Sequence, residues 1–238
     1  MSTTDRRTNA PPLVHGQRLH RAEFHARYEA MPPGTRAELI GGVVHIMSSP
    51  LGYPHGLTHA TILLWLGLYR IRTPGVEVAD NATTALDDLA EPQPDALMRI
   101  SPSRGGRTHD LGIYIGGGPE LVVEVAASSR AIDLGAKLAD YERAGVLEYL
   151  VVTLHPDDVF WHVRRDDRLV RVPPDPDGLY RSGVFPGLWL DPVALLADDG
   201  PALVAALEGG LATEAHAAFV ARLGPGPEPI ATTDRPSG

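Results

Sequence analysis

Three side chains in the middle of the chain have the types and spacing for phosphodiester chemistry. They are Asp95 in QPDALM, Glu124 in PELVVEVAASS, and Lys137 in the helical stretch that follows. Asp133 precedes Lys137 by one helical turn and Tyr141 follows it by one, so the three share a face. Two acids and a lysine on adjacent core elements are a recurrent arrangement for cutting a phosphodiester. The carboxylates are oxygen ligands for a hard cation such as Mg²⁺ or Mn²⁺. Such a cation polarises the phosphate and lowers the pKa of a bound water. The lysine orients or deprotonates that water, or offsets phosphate charge. Acids at strand ends and solvated helix lysines are common, so spacing alone also fits ordinary surface charge. Glu124 is the exception. Its neighbours Val122, Val123 and Val125 mark a buried strand, where an unpaired carboxylate is costly. Strand alternation puts Val122, Glu124 and Ala126 on one face and Val123 and Val125 on the other. Glu124 therefore needs a cleft, solvent or a partner.

The elements that must position these groups are legible as alternating helices and strands. Residues 18–32 read as a short helix stopped by prolines, and 37–47 as two strands across Gly41-Gly42. Residues 55–72 have helical periodicity that buries Ile62, Leu63, Leu66 and Tyr69. Residues 75–80 and 93–100 read as strands, 104–118 as a glycine-rich connection, and 120–126 as the strand of Glu124. A helix over 130–145 with a glycine stop leads to a second continuous apolar strand over 147–154. Residues 159–165 and 168–172 form a hairpin around Asp166-Asp167. Two continuous apolar strands joined by a helix imply a parallel crossover inside a mixed sheet. The expected fold class is therefore α/β, or mixed α+β, with the sheet flanked by helices. Residues 194–222 read as alanine- and leucine-rich helix, a packing or oligomer element.

The 238 residues suffice for one large domain with a self-sufficient core. The expected organisation is a disordered tail over 1–12, a domain over 13–197, a helical extension over 198–223 and a second disordered tail over 224–238. The chain has no cysteine, which excludes disulfides, thiolate zinc sites and cysteine nucleophiles. That suits a reducing cytoplasm, the expected location. No apolar segment near the start reads as a signal peptide, and no run is long enough for a membrane span. With 21 basic and 30 acidic residues the net charge is −9, which argues against non-specific coating of nucleic acid. An acidic site offset by a bound divalent cation is compatible with that balance.

Competing motifs are weaker. His55 and His59 have the i, i+4 spacing of a helical zinc site, but Gly56 stands where a zincin has its glutamate. His59 reads as a packed or capping histidine instead. IGGGPE precedes a strand and lacks the lysine of a phosphate loop, and no Gly-x-Ser-x-Gly elbow is present. RISPSRGGRTH is locally basic and reads as a solvated loop.

QPDALM and the block PELVVEVAASSRAIDLGAKLADYERAGVLEYLVV resemble the Uma-two family of restriction-endonuclease-like nucleases, of the PD-(D/E)XK superfamily. AELIGGVVHIMSSPLGYPHG upstream and VFPGLWLDPVALL downstream are similar to that family as well, so the resemblance spans about residues 20–197. It implies a restriction-endonuclease-like core and Mg²⁺- or Mn²⁺-dependent hydrolysis of nucleic acid, expected to be DNA, with a homodimer as a further expectation. It makes Asp95 and Glu124 the motif acids and metal ligands. The superfamily's usual lysine position is Ala126 here, so the resemblance assigns the lysine to Lys137 on the following helix. It adds Glu38 as a further metal or water ligand. His55 becomes a supporting residue at the helix start, and Ser128 follows the motif strand, where a serine can also cap a helix. With Tyr141, these residues form the expected site. The alternative is a catalytically inactive module that binds nucleic acid or protein on the same scaffold.

Overall fold

The structure is a computed structural model and describes residues 10–47 and 52–224. Residues 1–9 and 225–238 of the expected tails over 1–12 and 224–238, and the 48–51 stretch of the N-terminal signature, lie outside the described residues. Along the chain run α1 (Arg21–Glu29), β1 (Arg36–Ile40), β2 (Val43–Met47), α2 (Tyr53–Arg72), β3 (Val76–Asp80), β4 (Thr84–Ala85) and β5 (Ala96–Ile100). Next come β6 (His109–Leu111), β7 (Tyr114–Gly116), β8 (Leu121–Ala126), α3 (Arg130–Ile132), a π-helical turn (Asp133–Lys137), α4 (Leu138–Arg143) and β9 (Glu148–Leu154). The chain continues through β10 (Asp157–Arg165), β11 (Arg168–Val172), β12 (Tyr180–Arg181), β13 (Trp189–Leu190), α5 (Pro192–Leu196), α6 (Gly200–Leu211) and α7 (Glu214–Leu223).

The continuous apolar runs decide the centre of the fold. β8 and β9 are buried along their whole length, as strands covered on both faces must be. They pair in parallel, Glu124 opposite Val151, and the chain between them crosses over through α3 and α4. The six-stranded sheet runs β11-β10-β9-β8-β5-β3. Its other pairs are antiparallel, so the sheet is mixed.

Alternation along β8 sorts its side chains between two cores. Leu121, Val123 and Val125 join Ile62, Trp65, Leu66 and Tyr69 of α2 in the larger one. Val122 and Ala126 join Tyr141 and Tyr149 in the smaller one. Glu124 therefore points to the side covered by the crossover helices, and α2 covers the other. Full burial of each of those large α2 side chains is worth about 1.5–3 kcal/mol, which is what fixes α2 on the sheet. A third core joins Phe24 of α1 to Ala37, Leu39 and Val44 of the β1–β2 hairpin. The hairpin turns at Gly41-Gly42, both at positive φ. A backbone bridge from Leu39 to Glu91 ties it to the segment leading into β5.

Three expectations need correction. The connection over 104–118 contains a hairpin, β6–β7, on which β4 adds in parallel. Its strands are three residues long, and all of β6 is exposed, so they carry no apolar alternation. Residues 194–222 do not form one helix. Thr213 breaks the run, its hydroxyl accepting from the His216 amide as the N-cap of α7, and α6 and α7 bend by 69°. Leu203, Leu207, Phe219 and Leu223 of these helices pack into the main core. Ser128 is not a helix cap: Ser129 precedes α3, and its hydroxyl serves Asp133 instead. Among the described residues no single helix is long and apolar enough to cross a membrane.

Candidate active site

Glu124 has its partner. From the middle of β8, its Oε1 accepts from Lys137 Nζ at 2.9 Å and from the Tyr141 hydroxyl at 2.8 Å. Both donors come from the crossover. Asp133, Lys137 and Tyr141 do share one face, and all three are buried. The backbone reaches this arrangement through the π-helical turn, with Gly135 inside it. Wide turns of this kind recur at functional sites.

Lys137 is shared. Its Nζ also lies 3.0 Å from Glu38 Oε1 and 3.9 Å from Asp133 Oδ1. Glu38, on β1, accepts in addition from the Gln93 amide at 2.7 Å, which fixes the hairpin against the entry to β5. Asp133 accepts from Ser129 Oγ at 2.5 Å. Asp95 stands just before β5. Its Oδ2 accepts from the Val125 amide at 2.7 Å and faces His55 Nε2 at 3.5 Å. His59 donates through Nε2 to the Asp95 carbonyl at 2.7 Å and lies 3.3 Å from Asp80.

Glu38, His55, Asp95, Glu124, Ser128 and Lys137 all border one cavity of about 430 Å³. Tyr141 does not line it but supports Glu124 from beneath. The sequence did not single out Arg36, His45, Asn81 and Gln93, which line the same cavity. Arg36 was findable by alternation, two residues before Glu38 on the same strand face. His45 was findable as the residue opposite Glu38 across the hairpin. Nothing in the sequence brings Asn81 or Gln93 there. A larger cavity of about 840 Å³ lies against β10 and residues 172–184. None of the candidate acids borders it. Its buried acid, Glu148, is satisfied by Ser182 Oγ at 2.6 Å and the Gly183 amide at 2.8 Å.

The electrostatics show a site short of positive charge. Burial pushes the Glu124 carboxyl well above the usual carboxylate range; Lys137 opposes that shift, and Asp133, Asp95 and Glu38 add to it. Asp133 is raised for the same first reason, burial. Burial would lower Lys137, but Glu124, Glu38 and Asp133 overcome it and hold the ammonium above its ordinary value. Burial would also raise Asp95, yet hydrogen bonds from His55 and the Val125 amide hold it below the usual range. Its bond with Asp95 raises His55 in return.

The expected three-carboxylate cage of Glu38, Asp95 and Glu124 is not preformed. Among the described residues no three His, Asp or Glu side chains stand ready to hold an ion. The physical reason is Lys137, whose ammonium sits between Glu38 and Glu124. The donor chemistry still suits a hard cation. Three carboxylates (Glu38, Glu124 and Asp133) converge on one lysine, and Asp95 borders the same open cavity. The His55–His59 pair does not form a zinc site, because both Nε2 atoms are turned to Asp95 and its carbonyl. His55 Nδ1 is buried without a hydrogen-bond partner.

A mixed sheet whose parallel pair carries the acid, and whose crossover returns a lysine to it, is the frame of a nuclease-like protein. The fold is shared by the crystal structure of "a putative nuclease belonging to DUF820" from Anabaena variabilis, at a TM-score of 0.54 and 14% identity. The likeness covers 72% of this chain and 96% of that one. The sequence model of the Uma2 family, described as "Putative restriction endonuclease", matches residues 21–194. The chain belongs to the Uma2 family. No curated protein matches it.

Proposed function

We infer that the protein is a divalent-metal-dependent endonuclease that hydrolyses phosphodiester bonds of DNA. The observation that carries this reading is the buried Glu38–Lys137–Glu124 cluster opening with Asp95 onto one cavity. Family membership and the shared fold support the reaction class.

Asp95 and Glu124 would hold the cation, Mg²⁺ or Mn²⁺, through carboxylate oxygens, with Glu38 beside them. When bound, such an ion polarises the phosphate and acidifies water. The chain's own groups do the rest. Asp95 is suited to a ligand role because His55 and the Val125 amide favour its ionised form. Lys137 is held charged by its three carboxylates, and an ammonium donates protons but accepts none. It therefore acts by orienting the attacking water and by offsetting charge on the phosphate, rather than as a general base. Glu38 aims the lysine, and Tyr141 fixes the Glu124 rotamer.

The test is cleavage of plasmid and labelled oligonucleotide DNA by wild type, Asp95→Ala and Lys137→Ala with Mg²⁺ or Mn²⁺ present. Wild type should cut, and both variants should lose at least about a hundredfold in rate, the scale of removing one such stabilising group. Equal cutting by the variants, or no cutting by wild type, would sink the reading. Calorimetry with Mn²⁺ on wild type and Glu124→Gln separates a metal enzyme from a scaffold that only binds.

A further inference from the structure

A chain of net charge −9 with an acidic cavity floor must still draw in a polyanion if it is a nuclease. Most of its well-placed arginines cannot help, because carboxylates already claim them. Arg99 is paired with Glu77 and Asp110, Arg143 with Asp87 and Asp140, and Arg181 with Asp175 and Asp177. Two arginines differ, one lining the cavity and one beside it. Arg36 borders it on the same strand face as Glu38. Its guanidinium donates to the side-chain oxygen of Asn81, a neutral amide that fixes its direction and leaves its charge uncancelled. Arg130 is exposed and stands between the cavity-lining residues Ser129 and Ile132. Its guanidinium lies 5.4 Å from the centre of the Phe160 ring, a contact that orients a cation without neutralising it. Among the described residues no carboxylate pairs with Arg36 or with Arg130.

We propose that Arg36 and Arg130 are phosphate-binding residues that grip the nucleic-acid strand on the two flanks of the bond to be cut. The proposal rests on the nuclease reading and narrows its substrate. Guanidinium forks match phosphate oxygens bidentately. Arg36 enters from the β1 wall, and Arg130 stands beside the cavity at the start of α3. A strand held by both carries a phosphate on each side of the scissile one. The substrate class is thus an internal phosphodiester of a continuous chain, not a mononucleotide or a terminal phosphate.

The test measures binding of fluorescein-labelled DNA and RNA oligonucleotides to wild type, Arg36→Ala and Arg130→Ala without metal, across a salt series. Each phosphate contact makes affinity fall roughly threefold between about 50 and 200 mM salt. Each variant should lose that part of the salt dependence, whereas Arg165→Ala, exposed and outside this cavity, should keep it. A neutral methylphosphonate at one flanking position should weaken wild type and have no added effect on the variant lacking the matching arginine. Wild-type salt dependence in both variants would overturn the proposal, as would failure of wild type to bind either oligonucleotide. Arginine-dependent binding without cleavage by wild type would leave the grip standing and remove the nuclease reading.

Discussion

Lys137 Nζ and Glu124 Oε1 lie 2.9 Å apart, with both side chains almost wholly buried. A buried pair of this kind adds little net stability while intact, but removing one partner strands the other charge. Lys137→Met should therefore destabilise the fold by about 3–5 kcal/mol. It leaves Glu38 and Glu124 without their cation. Adding Glu124→Gln to it should recover a large part of the loss. Urea unfolding of the two variants checks this; a single variant as stable as wild type would contradict the buried ion pair.

Tyr141→Phe removes one donor from the same oxygen and keeps the ring in its core. Hydrogen bonds to charged groups are worth about 1.5–3 kcal/mol, so a loss near that size is expected. The DNA-cutting rate should fall with the substrate affinity unchanged, because the tyrosine touches Glu124 and not the cavity. A KM that rose with kcat unaltered would place Tyr141 elsewhere in the mechanism.

Glu148 gives a pH signature away from the chemistry. Burial raises its carboxyl to about 7, against the opposing effect of Ser182 and Gly183. The folded protein thus holds this proton more tightly than the unfolded chain does. Its contribution to stability is full below the ordinary carboxylate value of 4.5 and declines as pH rises through that value to about 7. Thermal melts of wild type and Glu148→Gln across that window should diverge, the wild type falling relative to the variant. Parallel curves would show that Glu148 titrates normally.

Metal should stabilise the folded state if the carboxylates hold it. Mn²⁺ at about one hundred times its dissociation constant adds about 2.7 kcal/mol, which raises the melting temperature. EDTA should reverse the rise, and Asp95→Asn should abolish it. An equal rise in that variant would place the ion elsewhere.

Gly210 offers a control on stability alone. A Cβ there would stand 2.2 Å from the Gly187 carbonyl oxygen, where α6 passes the loop before β13. Gly210→Ala should cost about 1–3 kcal/mol by overpacking. Activity per folded molecule should be unchanged, since α6 contributes nothing to the catalytic cavity.

The parts of this site that the sequence reveals are those built from neighbours along the chain. Glu124 stands out because valines surround it, and strand alternation correctly sends it to the side of the crossover. Helical spacing then aligns Asp133, Lys137 and Tyr141. Glu38 and His55 depend on resemblance, because nothing local marks an acid in a hairpin or a histidine at a helix start. Arg36 shares the strand face of Glu38, but Asn81 and Gln93 reach the cavity through tertiary contacts at the end of β3 and the entry to β5, which leave no periodic trace. The β6–β7 hairpin escapes notice for a different reason. Its strands are too short and too exposed to alternate. That an ammonium stands between Glu38 and Glu124 is likewise invisible to spacing, which places carboxylates near one another without saying what lies between them.

The π-helical turn over Asp133–Lys137 makes this arrangement sensitive to chain length as well as to residue type. A wide turn holds one residue more than a regular one, and each helical residue rotates the chain by about 100°. Deleting a single residue such as Gly135 would let the crossover wind regularly with its flanks in register, whereas adding one more would exceed what the wide turn absorbs and would carry Lys137 and Tyr141 about a quarter-turn round the axis from Glu124. Every side chain named in the mechanism would survive such an insertion, and the carboxylate would face an empty wall.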